Sequence, residues 1–215
     1  MKRMFAAIIG LGVMTMSVSA GAVDFASDEI GAPPKGWIVT MTGEGKPKWT
    51  VEKDDSALSN GKIFQQSGEA TFPLAFMEGS HIKDGFIEVR FKAISGTEDR
   101  AAGIVWRAKD ANNYYIVRAN ALEDNVVPYK TVNGERITLD MVGRKEVYGV
   151  AAPVPANQWH KLRVEFAGPR FKVIFNGEVL FEVDDTTFAD AGMVGLWTKA
   201  DSVTAFDGFN HGEKK

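Results

Sequence analysis

Residues 161–183 read Lys161-Leu162-Arg163-Val164-Glu165-Phe166-Ala167-Gly168-Pro169-Arg170-Phe171-Lys172-Val173-Ile174-Phe175-Asn176-Gly177-Glu178-Val179-Leu180-Phe181-Glu182-Val183, and their period decides the fold class. Leu162, Val164 and Phe166 alternate with Lys161, Arg163 and Glu165, and Phe171, Val173 and Phe175 repeat the pattern. A period of two places apolar side chains on one face of a strand and polar ones on the other. Asn176-Gly177 tolerates φ > 0 at both positions, so it marks a two-residue hairpin between 171–175 and 179–183.

The same signals recur outward from this hairpin. Ile87, Val89 and Phe91 alternate with Glu88, Arg90 and Lys92, and Asn133-Gly134 separates strands expected at 126–132 and 137–141. Further strands are expected at 37–41, 49–52, 63–66, 103–107, 114–120, 192–198 and 203–207, with a loop at 109–113. Residues 43–48 read as a loop, and 186–191 as the one stretch suited to a helical turn. About a dozen short strands without a long 3.6-residue period indicate an all-β sandwich or barrel.

The N-terminus reads as a signal peptide over residues 1–22. Lys2 and Arg3 precede an apolar stretch, and Ala20-Gly21-Ala22 supplies the small-residue cleavage pattern, with Val18-Ser19-Ala20 as an alternative. The apolar run of about 14 residues is short of the roughly 20 that a membrane-spanning helix needs. The expected mature protein therefore has no membrane span and is periplasmic or secreted. Residues 23–210 are expected to form one domain, and 211–215 a flexible tail.

The chain has no cysteine and a formal net charge of −3. An acidic chain without a basic block excludes nucleic acid as an expected partner. A domain of this size buries enough core to fold without disulfides.

Several runs resemble concanavalin A-like and laminin G-like jelly-roll domains. They are Trp159-His160-Lys161-Leu162-Arg163-Val164, the hairpin after it, Gly192-Met193-Val194-Gly195-Leu196-Trp197, and Ala205-Phe206-Asp207-Gly208-Phe209. Gly103-Ile104-Val105-Trp106-Arg107 with Asn113-Tyr114-Tyr115 is similar to the bacterial 3-keto-disaccharide hydrolase branch, loosely called family 16 glycoside hydrolase-like. The resemblance covers about residues 37 to 209. It implies a two-sheet jelly roll and a carbohydrate ligand. It also implies that Asp207, an acid in the final strand, is the residue to hold a structural calcium if one is present; no other cofactor is expected.

Pairing the two strands around 109–113 sets Arg107 opposite Tyr114, Trp106 opposite Tyr115, Val105 opposite Ile116, Ile104 opposite Val117 and Gly103 opposite Arg118. Ile104, Trp106, Tyr115 and Val117 then face the core. Arg107, Tyr114, Arg118 and Asn120 share the other face, which runs into Glu123-Asp124. A mixture of aromatic planes, Arg, Asn and carboxylates suits sugar rings and their hydroxyls. The plainer alternative is a solvated face of Arg–Glu pairs. Trp197, with Lys199 and Asp201, is expected on an outer surface as a stacking platform, while Val194 and Leu196 pack inward.

Catalytic signals are sparse. The alternating Glu-x-Asp-x-Glu of family 16 glycosidases is missing, and Glu182 and Asp184 are its nearest approach. Elimination from a 3-keto sugar needs a base at C2–H, yet His81, His160 and His211 are scattered without a ligand pair. The leading expectation is an exported carbohydrate-binding jelly roll. The alternatives are a hydrolase or lyase acting on a 3-keto disaccharide, and a cell-envelope protein-interaction module.

Overall fold

The computed structural model describes residues 19–23, 25–58 and 61–214. Among them there is no helix, and two curled sheets stack as a jelly-roll sandwich. The strands are β1 (Ser19–Ala22), β2 (Trp37–Lys46), β3 (Trp49–Lys53), β4 (Lys62–Gln66), β5 (Glu69–Met77), β6 (Gly85–Ser95), β7 (Ala101–Asp110) and β8 (Asn113–Asn120). They continue as β9 (Asn125–Val132), β10 (Glu135–Thr138), β11 (Val150–Ala151), β12 (His160–Ala167), β13 (Arg170–Phe175), β14 (Glu178–Asp184), β15 (Met193–Trp197) and β16 (Val203–Glu213). The first sheet runs β14-β13-β12-β6-β16-β4-β3, with β1 beside the end of β16. The second runs β10-β9-β8-β7-β15-β5-β2, with β11 beside β9. All these ladders are antiparallel.

The period-two reading explains the layers. Ile87, Val89 and Phe91 of β6, Leu162, Val164 and Phe166 of β12, and Phe171, Val173 and Phe175 of β13 are buried between the sheets. Ile104, Trp106, Tyr115 and Val117 meet them from the second sheet. Both Asn-Gly hairpins are tight turns, with φ of 50° and 90° at Asn176-Gly177 and 52° and 86° at Asn133-Gly134.

The second sheet is apolar on its outer face as well. Phe72, Leu74 and Phe76 of β5, Val105 of β7, Tyr114 and Ile116 of β8, Val127 and Tyr129 of β9, and Trp197 of β15 form a separate buried cluster there. Close approach makes room for it. A Cβ on Gly103 would lie 2.9 Å from the Ile116 side chain and 3.2 Å from the Trp197 ring.

Four expectations are corrected. Residues 43–46 continue β2 after a register shift between Thr42 and Gly45, because Gly43 and Gly45 adopt φ of 77° and 128°. Residues 186–191 form no helical turn. The expected tail at 211–215 is strand through Glu213, where β16 pairs with both β6 and β1. β5 lies between β2 and β15 and was not among the expected strands. Most of the expected signal peptide lies outside the described residues, and the cleavage pattern Ala20-Gly21-Ala22 falls within β1. No helix among the described residues is long and apolar enough to cross a membrane.

Candidate functional site

The outer face of the second sheet gathers most of the expected site residues. The expected β7–β8 register holds from Gly103↔Arg118 to Trp106↔Tyr115, so Tyr114, Arg118 and Asn120 share that face. Arg107 does not join them. The register shifts after Trp106, and a φ of 49° turns Arg107 toward Phe166 and Phe171, 5.8 and 5.6 Å from its guanidinium. There it is buried, donating to the carbonyls of Lys83, Phe188 and Gly168 and to the Asp84 carboxylate. Arg107 ties strands and loops together and is not a ligand-facing group.

Arg118 is the hub of the face. It is fully buried and forks onto Glu123, with Nη1 and Nη2 at 3.1 and 2.8 Å from the two carboxylate oxygens; Nη2 also donates to Asn125 Oδ1 at 3.0 Å. Asn120 donates to Glu123 Oε1 and to Asp99 Oδ1, and Lys199 Nζ reaches Asp99 Oδ2 at 2.6 Å. The result is one continuous network from Lys199 to Asn125. Asp201 holds its far end, accepting the backbone N–H groups of Thr97, Glu98 and Asp99.

Burial pulls the Glu123 carboxyl upward. The hydrogen bonds from Arg118 and Asn125 and the charges of Arg118 and Lys199 outweigh it, so the group lies below its ordinary value. Glu123 is therefore a fixed carboxylate at neutral pH, with its side chain 38% exposed at the rim. Such a group accepts hydrogen bonds well and is a poor base for a carbon acid.

Beside this network lies an aromatic floor. Trp197 stacks on Phe72 with ring centroids 5.4 Å apart, and the Tyr114 hydroxyl bonds Thr42 Oγ1 at 2.8 Å. Thr131 and Trp197 also approach that hydroxyl, but their Oγ1 and Nε1 find no partner of hydrogen-bond geometry. Trp197 has the expected facing, yet it is completely buried and not a surface platform. The Arg136 guanidinium covers it, lying 4.5 Å from the Tyr129 ring, 5.0 Å from Phe72 and 5.9 Å from Trp197.

The exposed aromatic of the site is Tyr148, which sequence reasoning missed. It is half exposed, its hydroxyl lies 2.6 Å from that of Tyr129, and its ring lies 5.9 Å from the Arg118 guanidinium. Burial pushes the Tyr129 hydroxyl well above its ordinary value, against the pull of Arg118. Arg136, Tyr129 and Asp99 were missed as well; the Asn133-Gly134 turn, which folds β10 back along β9, was the one available signal for Arg136. A cleft of about 690 Å³ adjoins the network, lined by Phe72, Lys199, Glu98, Glu69 and Lys46 among others.

Most of the remaining candidates have structural partners. Asp124 accepts the Val154 N–H with its carboxylate and the Ala152 N–H with its carbonyl, pinning the loop that follows β11. Glu182 and Asp184 both bind Arg170. His160 stacks on Phe175 and packs tilted against Phe91, His81 is exposed, and His211 lies within β16. Asp207 is buried; its Oδ2 accepts the Leu58 N–H at 2.8 Å and lies 3.7 Å from Arg90, while its Oδ1 has no hydrogen-bond partner. A calcium ion needs six to eight oxygens, of which Asp207 would supply its free Oδ1, with Arg90 beside the other oxygen. Among the described residues no group of three His, Cys, Asp or Glu side chains stands ready to hold a metal. A second cleft of about 430 Å³ on the first sheet contains Arg163 and Arg170, both already paired with acids.

Several solved structures share this fold. A carbohydrate binding module, CBM66, from Bacillus subtilis aligns with a TM-score of 0.60 and 23% identity, covering 84% of this chain and 95% of that one. A Bacillus subtilis protein of unknown function with a galectin-like fold aligns at 0.57 and 10% identity, covering 83% and 89%. Bacillus licheniformis beta-glucanase aligns at 0.56 and 12% identity, covering 91% and 99%. At these identities the likeness shows the fold alone. No curated protein sequence matches the chain. Residues 32–208, most of the sequence, match the 3-keto-alpha-glucoside-1,2-lyase-like domain, and the chain belongs to that family.

Proposed function

We propose that this chain is an exported carbohydrate-binding protein whose ligand lies on the outer face of the second sheet. The observation that carries the reading is the buried Arg118 fork, which holds Glu123 and Asn125 beside the exposed ring of Tyr148. Tyr148 offers an apolar plane to a sugar ring, while Glu123, Asn125 and Lys199 serve its hydroxyls. Arg118 itself is a positioning residue. The family match and the carbohydrate binding module among the structural neighbours support a sugar as ligand.

The family match also favours a second reading, elimination from a 3-keto glycoside. In that reaction a base removes the C2 proton, the C3 carbonyl takes up the charge as an enolate, and the C1–O bond breaks to release an alcohol. Glu123 shares Arg118 with the exposed ring, and its lowered affinity for protons favours binding over this chemistry.

Equilibrium titration of the purified protein with oligosaccharides tests the first reading. Saturable binding is expected, weakened by Tyr148→Ala and Glu123→Gln, with the sugar recovered intact. Release of an unsaturated keto sugar would favour the lyase instead. Export is tested by N-terminal sequencing of the protein recovered outside the cytoplasm, where a start at Val23 is expected.

A further inference from the structure

The geometry points to Arg136 as the anchor for an anionic substituent, a carboxylate or sulfate, on the bound sugar; this rests on the carbohydrate reading above and narrows it to acidic glycans. Arg136 sits on the short edge strand β10, paired in register with Thr131. It is half-buried, and its guanidinium lies over the rings of Tyr129, Phe72 and Trp197. Among the described residues it makes no hydrogen bond and no ion pair, and its Nη1 is buried without an acceptor. Arg90, Arg100, Arg107, Arg118 and Arg163, the other arginines that are not exposed, each have a carboxylate or carbonyl partner.

Most of the unpartnered polar atoms around Arg136 are donors; Thr131 Oγ1, opposite it on β9, is a hydroxyl that carries no charge to balance the guanidinium. Trp197 Nε1 and Arg118 Nε are also buried without a partner. Both are donors only, as is every nitrogen of Arg136. Glu123 is taken by Arg118 and the two asparagines, and Asp99 by Asn120 and Lys199, while Glu44, Glu69 and Glu98, which line the cleft beside Phe72, form no ion pair with Arg136. A buried donor is costly unless it is paired, and a buried charge more so. A neutral hydroxyl supplies one acceptor oxygen and brings a donor of its own. A carboxylate or sulfate supplies acceptors only, matches the guanidinium fork and balances its charge.

The test titrates the full chain with three disaccharides sharing one reducing unit, whose terminal residue is glucosyl, glucuronosyl or 6-sulfoglucosyl. Calorimetry reads affinity, and tryptophan emission reads Trp197 beneath Arg136. At least one acidic sugar is expected to bind about tenfold tighter than the neutral one, with an advantage that shrinks as salt is raised. Which acid gains identifies the group. Arg136→Gln should erase the advantage while changing neutral-sugar affinity by less than about twofold, and Arg136→Lys should restore part of it. Equal affinity for neutral and acidic sugars overturns the inference and leaves the carbohydrate reading standing. No binding of any of the three overturns both. If Arg136→Gln fails to fold, the wild-type ratio and its salt dependence still decide.

Discussion

Replacing Arg118 with Met keeps most of the side-chain stem and removes the fork at the centre of the site. Three hydrogen bonds go, two to Glu123 and one to Asn125. A hydrogen bond to a charged group contributes about 1.5–3 kcal/mol when buried. Glu123 is more than one-third exposed, so solvent recovers part of its loss and the ion pair counts at about half that value. The expected cost at pH 7 is therefore about 2–4 kcal/mol. Glu123 also gives this cost a pH dependence. Its proton affinity is lowered in the fold, so its stabilising contribution is complete above the unfolded carboxyl value of about 4.3 and is lost as pH falls through the lower folded value. In Arg118→Met the folded value returns toward the unfolded one. The gap between wild type and variant should then narrow from pH 7 to about pH 3, as read by urea denaturation. A gap that is equally wide at both pH values, or below about 1 kcal/mol at pH 7, would refute the assigned role.

Three further outcomes follow from neighbouring contacts. Arg107→Met should cost about 3–5 kcal/mol in urea denaturation, because it strands three carbonyls and Asp84, while sugar affinity in the folded fraction stays unchanged. Gly103→Ala should destabilise by about 1–3 kcal/mol and shift tryptophan emission, since its Cβ would crowd Ile116 and Trp197. Tyr148→Ala should cost about 1–3 kcal/mol, because it strands the buried Tyr129 hydroxyl, and lower sugar affinity about tenfold; Tyr148→Phe should cost similar stability while keeping most of the affinity in the same calorimetric titration.

The sequence made strands legible wherever one face was wet. Glu88, Arg90 and Lys92 alternate with buried residues and were read correctly, as were both Asn-Gly turns. β5 escaped because it is covered on both sides. Leu74, Ala75 and Phe76 are all buried, so alternation vanishes, and Pro73 argues against a strand with neighbours on both edges. The β7–β8 register followed from the hairpin, and with it the shared face of Tyr114, Arg118 and Asn120. Arg107 departed from that face through a left-handed bulge, a conformation that a non-glycine residue does not announce. Trp197 was given the right face and the wrong exposure, because the guanidinium that covers it comes from β10. Tyr148 lies in a stretch with no motif of its own, and the Asn133-Gly134 turn marks only the hairpin that carries Arg136. Only the folded sheet brings them beside Arg118.

The central claim is that the outer face of the second sheet holds a sugar without breaking it. Incubation of the protein with oligosaccharides and with their 3-keto forms, followed by mass spectrometry of bound and released sugar, tests it directly. The account predicts intact sugar in the bound fraction, lost in Tyr148→Ala, with no new species in solution. Wild-type-dependent appearance of an unsaturated keto sugar, abolished by Glu123→Gln, would contradict it.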